Sequence, residues 1–348
     1  MTEETGITED SEAGTAAAVT PSPVAPALSD EEVDHLLAQP VTHTHIGGQA
    51  LLEGVMMRGR TNWAVAVRRA DGSLHVEAHD LPASSKRAWL KWPVVRGVWG
   101  LYETLALTMR AFGIAASLAG ASEEEQLTST EIGWTMVLGV VLAVATFIVA
   151  PALLTNLIVG SSAKANPIVW NVGDGVVRLL VFLLYIWAIG FMPDIRRVFG
   201  YHGAEHKSIH AFEHGLPLEP RYVQRFSTQH VRCGTAFLLM VMVISILVFS
   251  LVPGKEILAF WGVTSGAAVV AFNIGVRIVL LPLVVGLAYE VTVKWAGNHS
   301  ENGFVKVLLW PGMQLQRLTT REPDDSMVEV AVTALQAVAA REAAAADA

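Results

Sequence analysis

Thr235-Ala-Phe-Leu-Leu-Met-Val-Met-Val-Ile-Ser-Ile-Leu-Val-Phe-Ser-Leu-Val252 runs without a single charged side chain. The hydrocarbon core of a bilayer asks for about 20 such residues as a helix, and three further stretches, 132–159, 176–192 and 277–293, read the same way. A fifth, 257–275, is apolar but rich in Gly and Ser. The bulk composition agrees with these segments. Of 348 residues, 52% are hydrophobic and 16% charged, where soluble domains carry about 25% charged residues. Mean hydropathy is +0.44.

Charge orients the segments. The loop after the second stretch carries Arg196, Arg197, Lys207, Arg221, Arg225 and Arg232, whereas the loop after the first holds only Lys164. Arg58, Arg60, Arg68, Arg69, Lys86, Arg87 and Lys91 precede the first stretch, and Lys294, Lys306, Arg317 and Arg321 follow the last. Cytoplasmic loops collect Lys and Arg, so residues 42–120, 194–233 and the C-terminal part are expected inside. Both ends inside requires an even number of crossings. The expected fold class is therefore a mainly α-helical polytopic membrane protein. It has about four transmembrane helices within 132–293, a re-entrant or fifth segment at 257–275, and a small α+β cytoplasmic module.

The remaining segments have distinct characters. Residues 1–40 hold nine acids and no Lys or Arg, and 1–41 reads as a disordered acidic tail rather than a targeting signal. Without the tail, 24 cations face 23 acids, which gives nucleic-acid binding no electrostatic support. In 42–93, Trp63, Val65 and Val67 alternate with small residues, Asp71-Gly72 supplies a turn, and Leu74-His-Val-Glu-Ala resumes the alternation. That pattern predicts two strands of a hairpin. In 94–120, Arg96, Glu103 and Arg110 recur every seven residues along one face, as in an amphipathic helix lying at the bilayer surface. Trp310-Pro311-Gly312 is expected to break the chain. Within 294–340, Ser326-x-x-Glu329 has capping-box spacing before a helix whose Met327, Val330, Ala334, Leu335 and Val338 share one face. That helix is expected to pack on the cytoplasmic module and to fray beyond 340.

The chemistry concentrates in one place. Five of eleven histidines lie between 202 and 230, most of them in His202-Gly-Ala-Glu205-His206-Lys-Ser-Ile-His210-Ala-Phe-Glu213-His214, which Gly215 and Pro217 end. Histidines every four residues sweep about 120° over roughly 18 Å of helix, so neighbouring pairs can share an ion while all four cannot. His202 and His206 bracket Glu205 at the His-x-x-Glu-His spacing of the inverted zinc proteases. Two imidazoles one turn apart suit a divalent cation, zinc foremost, with Glu205 as proton acceptor or further ligand. A plain solvated juxtamembrane helix is the competing reading. His210, His230 and Glu290 are candidates for the remaining coordination, although Glu290 could equally pair with Lys294. Glu53 (in a Gly-flanked apolar setting), Lys207, Cys233 and His299 complete the candidates. Cys233, the one cysteine, could also be a small apolar filler at the start of a span. Gly47, Gly48, Gly54 and Gly59 imply tight turns or close backbone approach, but lack the ending of a phosphate loop. No organic cofactor is indicated.

Ile46-Gly-Gly-Gln-Ala-Leu-Leu-Glu-Gly-Val-Met-Met-Arg-Gly59, Asp194-Ile-Arg-Arg-Val-Phe-Gly-Tyr-His-Gly-Ala-Glu-His-Lys207, Arg232-Cys-Gly-Thr235 and Gln316-Arg-Leu-Thr-Thr-Arg-Glu-Pro-Asp-Asp325 together resemble the YqhQ-like family of bacterial membrane proteins. The resemblance spans about residues 43–340. It implies a multi-pass protein of the bacterial cytoplasmic membrane with a metal site at His202, Glu205 and His206. That family is a domain of unknown function whose members are described as predicted metal-dependent enzymes.

Two functions follow as expectations. The first is a membrane-embedded metal-dependent hydrolase acting at the cytoplasmic face on a lipid-linked or membrane-peptide substrate, with membrane lipids as its surroundings. The second is a non-enzymatic assembly factor or transporter whose His/Glu cluster is structural. Few charges fall inside the apolar stretches, which ranks transport below the others. Oligomeric state is open.

Overall fold

The computed structural model describes residues 28–39, 41–81, 88–119, 129–159, 167–252, 254–263, 265–296, 299 and 302–346. Most of the acidic tail, Lys86, Arg87 and Lys164 lie outside the described residues.

The chain is mainly helical, with one small antiparallel sheet. Strands β1 (Gly47–Leu51), β2 (Gly54–Arg58), β3 (Asn62–Arg68) and β4 (Leu74–Asp80) form a meander in chain order. The expected hairpin is β3–β4, with Trp63 opposite His79 and Arg68 opposite Leu74. The glycine-rich stretch, expected as tight turns or close backbone approach, forms two further strands, β1 and β2, joined at Leu52-Glu53, with Gly48 and Gly54 closely approached by neighbouring backbone. Period-two alternation sorts their side chains between two faces. Val55, Met57, Ala64 and Ala66 face one way, against a core of Tyr201, Val328 and Leu335. Met56, Trp63, Val65 and Val67 face the other way, against Leu107, Ala111 and Ala115.

The helices supply those two covers. Helix α1 (Asp30–Leu37) opens on a Ser29/Glu32 capping box and buries Val33. The expected tail is thus corrected over this segment. An apolar stripe and a complete cap stabilise the helix, and Tyr222 Oη accepts the Leu28 N–H at 2.7 Å. Helix α2 (Val95–Ala119) covers the large-residue face of the sheet through its i, i+4, i+8 stripe. Of its three charges, Arg96 binds Glu290 and Glu103 binds Arg58 at 3.0 Å, while Arg110 is exposed. Its opposite side exposes Tyr102, Leu105, Met109 and Phe112.

A second group of helices is apolar and outward-facing. It comprises α3 (Ser129–Val144), α4 (Ala150–Val159), α5 (Pro167–Ile189), α8 (Gly234–Ser250), α9 (Gly254–Phe260) and α10 (Gly266–Tyr289). A π turn over Ala145–Val149 joins α3 to α4. It spans Phe147, whose carbonyl lacks an N–H from Pro151 four residues on. Among the described residues, Gly133–Thr155, Val172–Ile189 and Ile274–Ala296 are long and apolar enough to cross a membrane, and Gly234–Ser250 is a shorter apolar helix. Leu157 and Val279 are 80% and 76% exposed. The 257–275 stretch divides between α9 and the first turns of α10, whose Ser265 caps the longer helix.

Helix α6 (Pro193–Glu213), with the short α7 (Pro220–Val223) behind it, follows α5 directly and turns back under the sheet. Helix α11 (Gly303–Thr319) runs through Pro311, which bends no break into the chain, and packs Gly312 against Ala236 of α8. Helix α12 (Asp325–Ala346) lies on the small-residue face of the sheet, as the apolar stripe requires. Asp324, not Ser326, caps it, accepting the Met327 N–H at 2.9 Å. The helix persists beyond residue 340, where Glu342 accepts the Arg60 N–H.

Candidate metal centre

Helix α6 starts at Pro193 and stops at Gly215, whose φ of +68° ends it. Its buried side is laid along two other segments, 224–233 and 316–321. Gly203 makes the second approach possible, because a Cβ there would stand 2.1 Å from the Arg321 carbonyl oxygen.

These neighbours fix the imidazoles. His202 Nδ1–H donates to the Thr319 carbonyl at 2.8 Å, and His206 Nδ1–H donates to the Thr228 carbonyl at 2.6 Å. A carbonyl only accepts, so both rings carry their proton on Nδ1 and keep the Nε2 lone pair free. This is the outer support that metal-ligating histidines use. The two ring centroids are 4.4 Å apart. Cys233 Sγ lies 3.3 Å from His202 Nε2. One donor atom from each of His202, His206 and Cys233 falls within 4.8 Å of the others. Tetrahedral zinc holds such atoms about 3.5 Å apart, given bonds of about 2.0–2.3 Å, so a small contraction closes the site. Cys233 also caps α8, taking the Thr235 N–H at 3.5 Å. The donor set, two nitrogens and a sulfur, fits a borderline cation.

Glu205 faces the sheet. Its Oε1 accepts the Gly48 N–H at 3.0 Å, and a Cβ on Gly48 would meet Glu205 Cγ at 2.9 Å. Burial raises its pKa to about 7, against the opposing pull of His202 and the Gly48 N–H. Sequence spacing set Glu205 beside the ion as base or ligand; the structure leaves it outside the three-donor group, within electrostatic reach of His202.

A second layer lies one turn further on. His210 Nε2–H donates to the Gln229 carbonyl at 2.9 Å, which occupies that nitrogen. His230 is 4% exposed, and its ring centroid is 4.6 Å from His210 and 5.6 Å from His206. Gln316 holds it from both sides, accepting the His230 N–H at 2.8 Å and donating to its carbonyl at 2.9 Å. Burial keeps His206, His210 and His230 below the ordinary imidazole range, hence neutral at pH 7. Glu213 gathers Arg232, His230 and the Thr44 N–H. Burial disfavours its charge, but these partners outweigh burial and bring it down to about 2.

The other sequence candidates go elsewhere. Glu290 joins neither His202 nor Lys294: it accepts Arg96 Nε–H at 2.7 Å and the Val94 N–H at 3.2 Å, tying α10 to α2. Glu53 takes the Arg197 fork at 2.5 and 2.6 Å and Tyr201 Oη–H at 3.1 Å, pinning the β1–β2 turn to α6. Lys207 binds Glu322 at 2.6 Å and the Gln224 carbonyl at 3.0 Å. His299 is exposed and bonds to the Trp295 carbonyl at 2.8 Å. Sequence reasoning assigned no role to Gln316, Thr319 or Thr228. Gln316 and Thr319 were quoted in a motif, but a backbone acceptor leaves no mark of its own in side-chain chemistry.

A family model described as "Protein of unknown function (DUF1385)" matches residues 92–341, which include every donor named above. The uncharacterized protein YqhQ of Bacillus subtilis (strain 168) is 32% identical over 300 residues, covering 82% of this chain and 89% of that protein. No solved structure matches the chain significantly. The family match over most of the chain and the similarity to YqhQ establish that this protein belongs to the DUF1385, YqhQ-like family.

Proposed function

We propose that the chain is a metal-dependent hydrolase of the bacterial cytoplasmic membrane, with its centre at His202, His206 and Cys233 on the cytoplasmic face. The observation that carries this reading is the pair of Nδ1 bonds to Thr319 and Thr228, which aim two free Nε2 atoms at the Cys233 sulfur. Three protein donors leave one position of a tetrahedral ion open, as in catalytic zinc sites. When bound, such an ion polarises a carbonyl or phosphoryl oxygen and makes water a nucleophile near neutral pH. Glu205 is assigned the proton transfer, with its Oε1 accepting the Gly48 N–H.

Three apolar helices of spanning length and the Lys/Arg-rich 194–233 loop support the membrane placement and its orientation. The exposed Tyr102, Leu105, Met109 and Phe112 on α2, with Trp89 and Trp92 before it, support an interfacial position beside a lipid-linked or membrane-peptide substrate.

A structural centre is the second reading. Its supporting observation is that the same Nδ1 bonds already tie α6 to the segments before α8 and after α11. Cobalt substitution separates the two. An enzyme site gives a sulfur-to-cobalt charge-transfer band and a visible spectrum that azide perturbs through the open position. A spectrum indifferent to azide, with Glu205→Gln harmless in a complementation assay, favours the brace.

A further inference from the structure

Three of the few charges in the apolar helices come together. Asp174 and Arg178 of α5 and Arg277 of α10 meet, each guanidinium giving one nitrogen to the same oxygen, Asp174 Oδ2, at 2.9 Å. The Asp174 side chain is 4% exposed, and the arginines 18% and 17%. Among the described residues, nothing hydrogen-bonds the buried Asp174 Oδ1. A cavity of about 10 Å³, room for about one water, lies against all three and is bounded by Ser245 and Phe249 of α8.

We propose that Arg178 and Arg277 form an oxyanion site that takes a phosphate group carrying or adjoining a hydroxyl. Three arguments converge on that chemistry. First, the cluster holds two cations and one carboxylate. A surplus charge among apolar helices is costly unless an anion neutralises it. Second, each guanidinium has five N–H donors in a fork suited to oxyanions, and among the described residues Asp174 is the side chain that each hydrogen-bonds. Third, Oδ1 lacks a donor, and the adjoining space admits one oxygen. A hydroxyl of the ligand enters there and donates to Oδ1 while the phosphate lies on the guanidinium edges.

A helix staple does not account for the cluster. Asp174–Arg277 alone joins α5 to α10, and Arg178 sits on the same helix as Asp174, so it adds charge without joining anything. The site is also distinct from the metal centre. Asp174 lies 15 residues before Ile189, where α5 hands over to α6, which is roughly 22 Å along the helix. Phosphate of this kind has two sources, a lipid headgroup in the bilayer or free phosphate in water.

The test uses the full chain in neutral detergent. Short-chain phosphatidylglycerol is titrated against phosphatidylcholine, and inorganic phosphate against sulfate at equal ionic strength, with the thermal midpoint as readout. A rise with phosphatidylglycerol alone assigns the lipid headgroup, and a rise with inorganic phosphate assigns phosphate itself. In either case R178Q, which leaves the Asp174–Arg277 pair intact, weakens the apparent affinity about tenfold or more. Should R178Q not fold, R178K decides, since it keeps the charge and loses the fork; a several-fold loss is expected. No rise with either phosphate, or an undiminished affinity in the variant, overturns the site and leaves a plain ion-pair cluster.

Discussion

Replacing Glu213 with Gln tests the packing logic around the histidines quantitatively. Glu213 is 2% exposed and collects Arg232, the His230 ring and the Thr44 N–H, so one carboxylate ties the 224–233 loop and the start of the sheet to α6. Its folded pKa of about 2 lies below the ordinary 4.5. At 1.36 kcal/mol per unit, the ionised form stabilises the fold by about 3 kcal/mol. Removing one partner from a buried ion pair gives a similar figure, about 3–5 kcal/mol. A depressed folded pKa places this stability above pH 4.5, and it is lost as pH falls toward 2. The difference between wild type and Glu213→Gln is therefore about 3 kcal/mol at pH 7 and about 1 kcal/mol at pH 3. Urea unfolding of the detergent-purified proteins, followed by tryptophan fluorescence, measures both. A difference under about 1 kcal/mol at pH 7, or one that does not narrow by pH 3, refutes the reasoning.

Other substitutions probe the remaining supports. Gly48→Ala drives a Cβ to 2.7 Å from the Met56 carbonyl oxygen and against Glu205, so it destabilises by about 2 kcal/mol, read as a lowered unfolding midpoint. Gln316→Leu leaves the buried His230 N–H without a partner, while the His230 carbonyl keeps the Cys233 N–H at 3.2 Å, and costs about 2 kcal/mol, with faster hydrogen exchange across 228–233. Asp324→Ala removes the cap of α12 and costs about 1 kcal/mol, seen as increased exchange confined to the first turn.

Much of this arrangement was legible from one residue type at a time. Alternation in 63–67 gave the β3–β4 hairpin, and the apolar stripe of 327–338 gave α12 and its docking face, because burial acts locally on a periodic pattern. Gly215 and Pro217 ended α6 where a stop was expected. Glycine left two readings open, tight turns or close backbone approach, and the second holds at Gly48 and Gly54, which sit in strands whose neighbours come too close for a Cβ. Pro311 did mislead. A helix packed along α8 tolerates the one hydrogen bond that proline removes.

The candidate metal donors were half legible. His202 and His206 followed from the four-residue period, since that spacing alone puts them on one face. Cys233 stood among minor candidates because 27 residues of chain separate it from His206, and only the fold of the 224–233 loop brings it back. Glu290 was misassigned because sequence gives depth along a helix but not direction around it; its partner, Arg96, comes from a helix almost two hundred residues away. In the Asp174–Arg178–Arg277 cluster, Asp174 and Arg178 stand four residues apart on one helix face, but nothing in the sequence joins Arg277, 103 residues after Asp174, to them.

The central claim is that His202, His206 and Cys233 bind one metal ion, and metal content answers it most directly. Elemental mass spectrometry is run on detergent-purified wild type, His206→Ala and Cys233→Ser after equilibration with zinc and removal of free ion. Near-stoichiometric zinc is expected in wild type, with most of it lost in both variants while their folds persist. A folded wild type that stays empty after zinc is supplied, or variants that retain the ion, contradicts it.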